Sequence, residues 1–189
     1  MTMQRGFDPR PGAWRRHAAP GWLALSLSLM GLMLPSARAD ESPEYRLKTA
    51  FLYNFALFTE WPGEVGATLT LCIHGQDPFG EDLEELQGKA VGKRTLALQR
   101  KAGIDALKAC QIVFVSSQGA RPLARVLEEL RDRPTLTVAD TPGAARQGVM
   151  LNMAVVQNKV SFEANLQAAR VARLTLSSKL LRLATEVLQ

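Results

Sequence analysis

Residues 111–115 read QIVFV, a β-prone run whose last four side chains are apolar with no polar alternation. A strand wetted on one face alternates, so this run belongs to a strand buried on both faces, as in a parallel sheet covered by helices on either side. Its surroundings agree. Residues 42–60 read as a helix: Ser42 can cap it, Pro43 suits its first turn, and Leu47, Ala50, Phe51, Asn54, Phe55 and Phe58 recur along one side. Trp61-Pro62-Gly63 stops it. Strands are expected at 68–74, 94–98 and 135–138, with short helices through Leu86, at 104–109 and at 121–131. Residues 149–156 and 159–163 suggest a hairpin across Gln157-Asn158, and two closing helices cover 165–170, which Asn165 can start, and 177–188, which Ser177 can cap. Strands alternating with helices give an α/β fold. The expected sheet is mostly parallel and flanked by helices, flavodoxin- or Rossmann-like, with the antiparallel hairpin at one edge.

The N-terminus points to export. Arg5, Arg10, Arg15 and Arg16 precede an apolar run at 22–34, and Ala37 and Ala39 supply the small side chains of a cleavage site. That order is a secretory signature, with residues 1–39 removed before Asp40 and a single domain left at 40–189. The apolar run is shorter than the roughly 20 residues that span a hydrocarbon core, so no membrane insertion is expected after cleavage. No cysteine stands at the cleavage point for a lipid anchor. Removing the segment also changes the charge. Of 23 Lys and Arg and 18 Asp and Glu, five and one fall in residues 1–39, leaving 18 against 17 and a net charge of +1 instead of +5. The pI of 9.6 therefore belongs mostly to the signal. No basic stripe remains for nucleic acid.

Two cysteines survive maturation, Cys72 and Cys110. In an oxidising compartment an even pair reads as a disulfide, and closing the loop 72–110 is worth roughly 4 kcal/mol by chain-entropy reasoning. The other reading is two buried thiols packed as small hydrophobes.

Enzyme chemistry finds few candidates. His74 is the single histidine of the mature chain, and with both cysteines bridged a zinc site lacks ligands. Ser117 has a glycine two residues after it but none two residues before, so no nucleophile elbow forms. No glycine-rich dinucleotide or phosphate loop appears, and no cofactor is expected. One constellation remains: His74, Asp77, Ser116, Ser117 and Asp140 all fall at carboxyl ends of expected strands, where open α/β sheets bind ligands. The alternative is that these residues cap helices and make turns. If they line a pocket, the protein is a small-molecule sensor acting with a sensor kinase.

Several motifs, taken in order, resemble a known family. Residues 45–55 (YRLKTAFLYNF) lead to Glu60-Trp61-Pro62, then come Leu71-Cys72-Ile73, Asp77-Pro78-Phe79-Gly80 and residues 109–115 (ACQIVFV). Later come residues 136–140 (LTVAD), Leu151-Asn152-Met153, residues 162–166 (FEANL) and 176–184 (LSSKLLRLA). Together they resemble the YfiR-like family of periplasmic proteins across nearly the whole mature chain. The resemblance implies an exported, non-enzymatic α/β domain that often forms a homodimer. It implies binding to the periplasmic sensor region of an inner-membrane diguanylate cyclase, which is thereby held inactive. Loss of that restraint raises cyclic di-GMP and favours biofilm formation. Family members also occur beside sensor kinases, so a kinase sensor region is a second implied partner. Cys72 and Cys110 match a family disulfide. The second cysteine pair of some members is missing, which removes any redox switch that depends on it. The expected partner surface lies at Glu163 and Asn165 and on the final helix at Ser177, Ser178 and Leu181.

Overall fold

The computed structural model describes residues 43–118, 122–157 and 159–189. The expected signal peptide and its cleavage point, the Ser42 cap, Gly119, the Arg121 helix start and Asn158 of the hairpin turn lie outside the described residues. In chain order the elements are α1 (Pro43–Leu57), β1 (Thr59–Glu60), β2 (Thr68–His74), β3 (Ala90–Val91), β4 (Arg94–Lys101), β5 (Ile112–Val115), α2 (Leu123–Glu129) and β6 (Leu136–Ala139). They continue with β7 (Leu151–Val156), β8 (Lys159–Asn165), α3 (Leu166–Val171), β9 (Thr175–Leu176), α4 (Ser178–Leu181) and β10 (Glu186–Leu188). Three 3-10 turns, Gly80–Leu86, Asp105–Ala109 and Ala145–Gln147, carry crossovers where full helices were expected in part.

Eight strands form one sheet in the order β10-β8-β7-β6-β5-β2-β4-β3. Neighbours β10/β8, β2/β4, β2/β5, β5/β6 and β6/β7 run parallel, whereas β3/β4 and β7/β8 are antiparallel. The sheet is thus mixed, with antiparallel pairings toward both ends. The expected hairpin does form, but β10 lies outside it and takes the edge. The expected closing helix breaks after Leu181, and Thr185 directs both its N–H (2.8 Å) and its hydroxyl (3.0 Å) to the Phe162 carbonyl. Glu186–Leu188 then pair with Glu163–Asn165. The outer edge of β8 offers unpaired backbone groups, and a strand satisfies them where a continued helix would leave them open.

Both faces of the sheet are covered, as the QIVFV run requires. Leu69, Leu71, Ile73, Ile112, Phe114, Leu136 and Val138 pack with α1 in the larger core. Their neighbours Cys72, Val113, Val115 and Ala139 pack with Leu107 and Val126 on the opposite face. Phe55, Phe79, Phe114 and Phe162 are fully buried, each contributing about 1.5–3 kcal/mol on transfer from water. Cys72 and Cys110 are bridged, with Cα atoms 6.0 Å apart. Because β2 and β5 are neighbours, the bridge ties the Asp105–Ala109 turn to the sheet.

Helix α1 is rotated from the orientation its periodicity indicated. Lys48, Thr49, Leu52, Phe55 and Ala56 face inward, whereas Leu47 is 45% exposed and Ala50 and Asn54 are exposed. A helix this rich in aromatics has apolar groups on most sides, so its pattern selects no single face. Tertiary contacts decide it: the Phe51 and Phe55 rings meet Phe162 edge-on at 6.0 and 5.0 Å. The helix also stops earlier than Trp61, because Thr59–Glu60 leave it to pair with β9.

Candidate functional site

The carboxyl end of β6 holds a buried polar cluster. Asp140 directly follows the strand, and its side chain is 2% exposed. Its Oδ2 accepts from Lys48 Nζ at 2.9 Å and from the Tyr45 hydroxyl at 3.0 Å, and its Oδ1 accepts from the Ser117 backbone N–H at 3.2 Å. Lys48, itself 4% exposed along its side chain, also pairs with Glu44 at 2.5 Å and stacks 4.3 Å over the Tyr45 ring. Burial alone would lower the Lys48 ammonium, but hydrogen bonds to Glu44 and Asp140 outweigh it and raise the group above an ordinary lysine. Burial, then the Asp140 charge, raises the Tyr45 phenol. The first turn of α1 is thereby clamped onto the end of the central sheet.

Beside this clamp lies a cleft of about 360 Å³, lined in part by Glu44, Lys48, Asp140, Asn152, Val155 and Glu163. Asn152 and Glu163 sit opposite each other on β7 and β8, and the Asn152 amide donates to Glu163 Oε2 at 3.2 Å. Asn152 is 1% exposed, and its Oδ1 is sealed without a partner among the described residues.

The expected strand-end residues divide between different contacts. Ser117 and Asp140 meet, as above. Ser116 Oγ accepts from the Gln118 N–H at 3.2 Å, closing a local turn. Asp77 accepts from the Phe79 N–H at 2.8 Å and from Arg100 Nε at 2.7 Å, while Arg100 also reaches Glu84 at 2.8 Å. These bonds, Glu84 first and Asp77 next, raise Arg100 further above its ordinary range. His74 is 1% exposed; Nδ1 lies 3.0 Å from the Lys101 carbonyl and Nε2 is sealed without a partner among the described residues. The cleft thus takes in Asp140 from this group and Glu163 from the expected partner surface.

The remaining surface residues have structural work of their own. Asn165 caps α3, accepting from the Ala168 N–H at 2.8 Å and donating to the Ala145 carbonyl at 2.8 Å. It borders a wider groove of about 510 Å³ between α2 and α3. Ser177 caps α4 through the Leu180 N–H at 3.2 Å, Ser178 is exposed, and Leu181 is half-buried against the core. Through β10 the end of this segment returns to Glu163. Sequence reasoning missed Tyr45, Lys48 and Asn152. The signal for Asn152 was present, since an amide inside the apolar run Leu151-Asn152-Met153 must find partners in the interior. Among the described residues no group of three or more His, Cys, Asp or Glu could hold a metal ion, and no helix is long and apolar enough to cross a membrane.

The described residues thus form an α/β domain with a clamped strand end, a disulfide between β2 and the start of β5, and a small polar cleft. The YfiR/HmsC-like family matches the chain over residues 45–185, from the clamp tyrosine to the turn before β10. The chain belongs to this family.

Proposed function

We propose that the protein is an exported periplasmic regulator without catalytic activity. In this reading residues 1–39 are removed before Asp40, and residues 40–189 form the single working domain. That domain binds the periplasmic sensor region of an inner-membrane signalling protein, a diguanylate cyclase in the first instance, and holds it inactive. The family match over residues 45–185 carries this reading. The strand order β4-β2-β5-β6-β7, with the chain winding outward from β2 in both directions, supports a flavodoxin-like description of its central part. The mechanism is stoichiometric: the domain binds the inactive sensor conformation in preference to the active one and shifts a pre-existing equilibrium.

The partner surface of this proposal is Glu163 with Asn165, Ser177, Ser178 and Leu181. The pairing of β10 with β8 supports it, as does Leu183, 69% exposed in the segment between α4 and β10. A homodimer, which the family resemblance implies, would present two such surfaces. Deleting the gene should raise cyclic di-GMP and biofilm, and the oxidised protein should bind the sensor region saturably in a pull-down. Unchanged cyclic di-GMP together with no capture of any cyclase or kinase sensor region would refute it.

A further inference from the structure

We infer that the cleft beside the Lys48–Asp140 clamp is a strand-addition site, where an extended segment of a protein partner pairs with the inner edge of β7. Strands β6 and β7 are paired only at Val138–Leu151 and Ala139–Asn152, yet β7 runs on to Val156. By then β6 has ended, and Asp140 is drawn to Lys48 and Tyr45 of α1. From Met153 to Val156, β7 therefore has β8 along one side and no strand along the other. Met153, Ala154 and Val155 line the cleft together with Asp140, Pro142 and Gly143 from the loop after β6, which places the cleft along that open side.

Two hydrogen bonds fix which backbone groups are open there. Asn165 donates its N–H to the Met150 carbonyl at 2.7 Å, so those two residues are a bonded pair across β7 and β8. The Phe162 carbonyl accepts from the Thr185 N–H at 2.8 Å, on the β10 side and away from β7. In an antiparallel ladder, opposed residues alternate between exchanging hydrogen bonds and turning away from each other. Asn152–Glu163 and Ala154–Ser161 are thus bonded pairs, whereas Met153–Phe162 and Val155–Val160 turn apart. Leu151, Met153 and Val155 direct their backbone groups away from β8, and Leu151 meets β6 in this way. Past the last rung, the Met153 carbonyl and the Val155 N–H and carbonyl point to the open side. Among the described residues no hydrogen bond closes on them.

Backbone groups spaced along a strand edge are matched by another extended backbone, and the side walls then choose its side chains. Val155, 45% exposed, shares the α1 face of the sheet with Met153 and Phe162 and offers apolar contact there. Ala154 and Glu163 lie on the opposite face. The lining sets Glu44, Asp140 and Glu163 against Lys48, which is already paired with Glu44 and Asp140. The segment that fits therefore alternates apolar residues toward Val155 with basic ones toward Glu163. A second copy set edge to edge about a two-fold axis brings this acidic lining against itself, which disfavours it. The site goes beyond the regulator reading, since it holds for whichever protein supplies the segment.

The test is titration of the intact chain with the peptide N-acetyl-Val-Lys-Val-Lys-Val-amide, followed by calorimetry and by amide hydrogen exchange in NMR spectra. Saturable binding that slows exchange at Val155 about tenfold or more, with smaller changes at Ala154 and Val156, is the expected result. Val155→Pro removes the open N–H and no bond to β8, and should weaken binding about tenfold or more, whereas Val155→Ala keeps the N–H and should retain most of it. No saturable binding, unchanged exchange at Val155, equal affinity in Val155→Pro, or equal affinity for the same peptide with glutamate in place of lysine overturns it. Should Val155→Pro fail to fold by circular dichroism, the exchange pattern of the native chain still decides. A dimer in which the Val155 amide is already protected without peptide would put a second copy in the cleft, and would also overturn the partner segment.

Discussion

Replacing Lys48 by methionine keeps the length of the side chain and removes its charge, and so isolates the clamp between α1 and β6. Lys48 and Asp140 are 4% and 2% exposed along their side chains and 2.9 Å apart, so their pairing is shielded from water and salt. In the variant the Asp140 carboxylate stays buried with only the Tyr45 hydroxyl and the Ser117 N–H to hold it. Removing one member of a buried pair costs about 3–5 kcal/mol, because the other is left uncompensated. For a domain of this size that lowers the midpoint of thermal unfolding by roughly 6–20 °C. Asp140→Asn costs less, since the amide oxygen still accepts and Lys48 retains Glu44 at 2.5 Å. The double variant should recover much of the loss, with a coupling energy of about 1.5–3 kcal/mol in a cycle followed by urea unfolding with the disulfide intact. A loss below about 1 kcal/mol in Lys48→Met, or additive losses within about 0.5 kcal/mol, would refute the idea that this pair sets the position of α1.

Two further outcomes follow from the same contacts. Reducing the Cys72–Cys110 bridge, which spans a sequence separation of 38, should destabilise the domain by roughly 4 kcal/mol, read as a lower urea midpoint with dithiothreitol; an unchanged midpoint would mean the reduced chain is held by other contacts. Stability should also fall as pH rises above about 10: Lys48 and Tyr45 are both raised in the fold, so the unfolded chain loses these protons first, and stability present at lower pH is lost through the folded values. A urea midpoint that stays flat across that range, in a structure with no free cysteine to start disulfide exchange, would argue against it.

Much of the sheet was legible because its signals are local. The apolar run at 112–115, the strand at 68–74 and the hairpin each carry their pattern within a few residues. Asn165 and Ser177 show their capping role in the same way, since the N–H they accept from lies three residues ahead. The two-residue strands β1, β3 and β9 carry no such pattern, being too short for alternation to register, and exist through their pairing alone.

What the amino-acid order determined by itself was therefore the set of core strands, the two caps, and two cysteines with no others to compete for them. Tertiary structure decided the rest. The rotation of α1 depends on Phe162 and Asp140, which lie far along the chain, and helical periodicity has no knowledge of them. The end of the chain is a strand because β8 had an edge to fill, although the apolar spacing of residues 177–188 suits a helix equally well. The cleft combines Asp140 and Glu163, assigned from sequence to different surfaces, because β7 and β8 place Asn152 and Glu163 beside the end of β6. Local propensity selects which elements can form, whereas long-range hydrogen bonds and charge pairs, costly to leave unmade in the interior, select how those elements are turned and where they end.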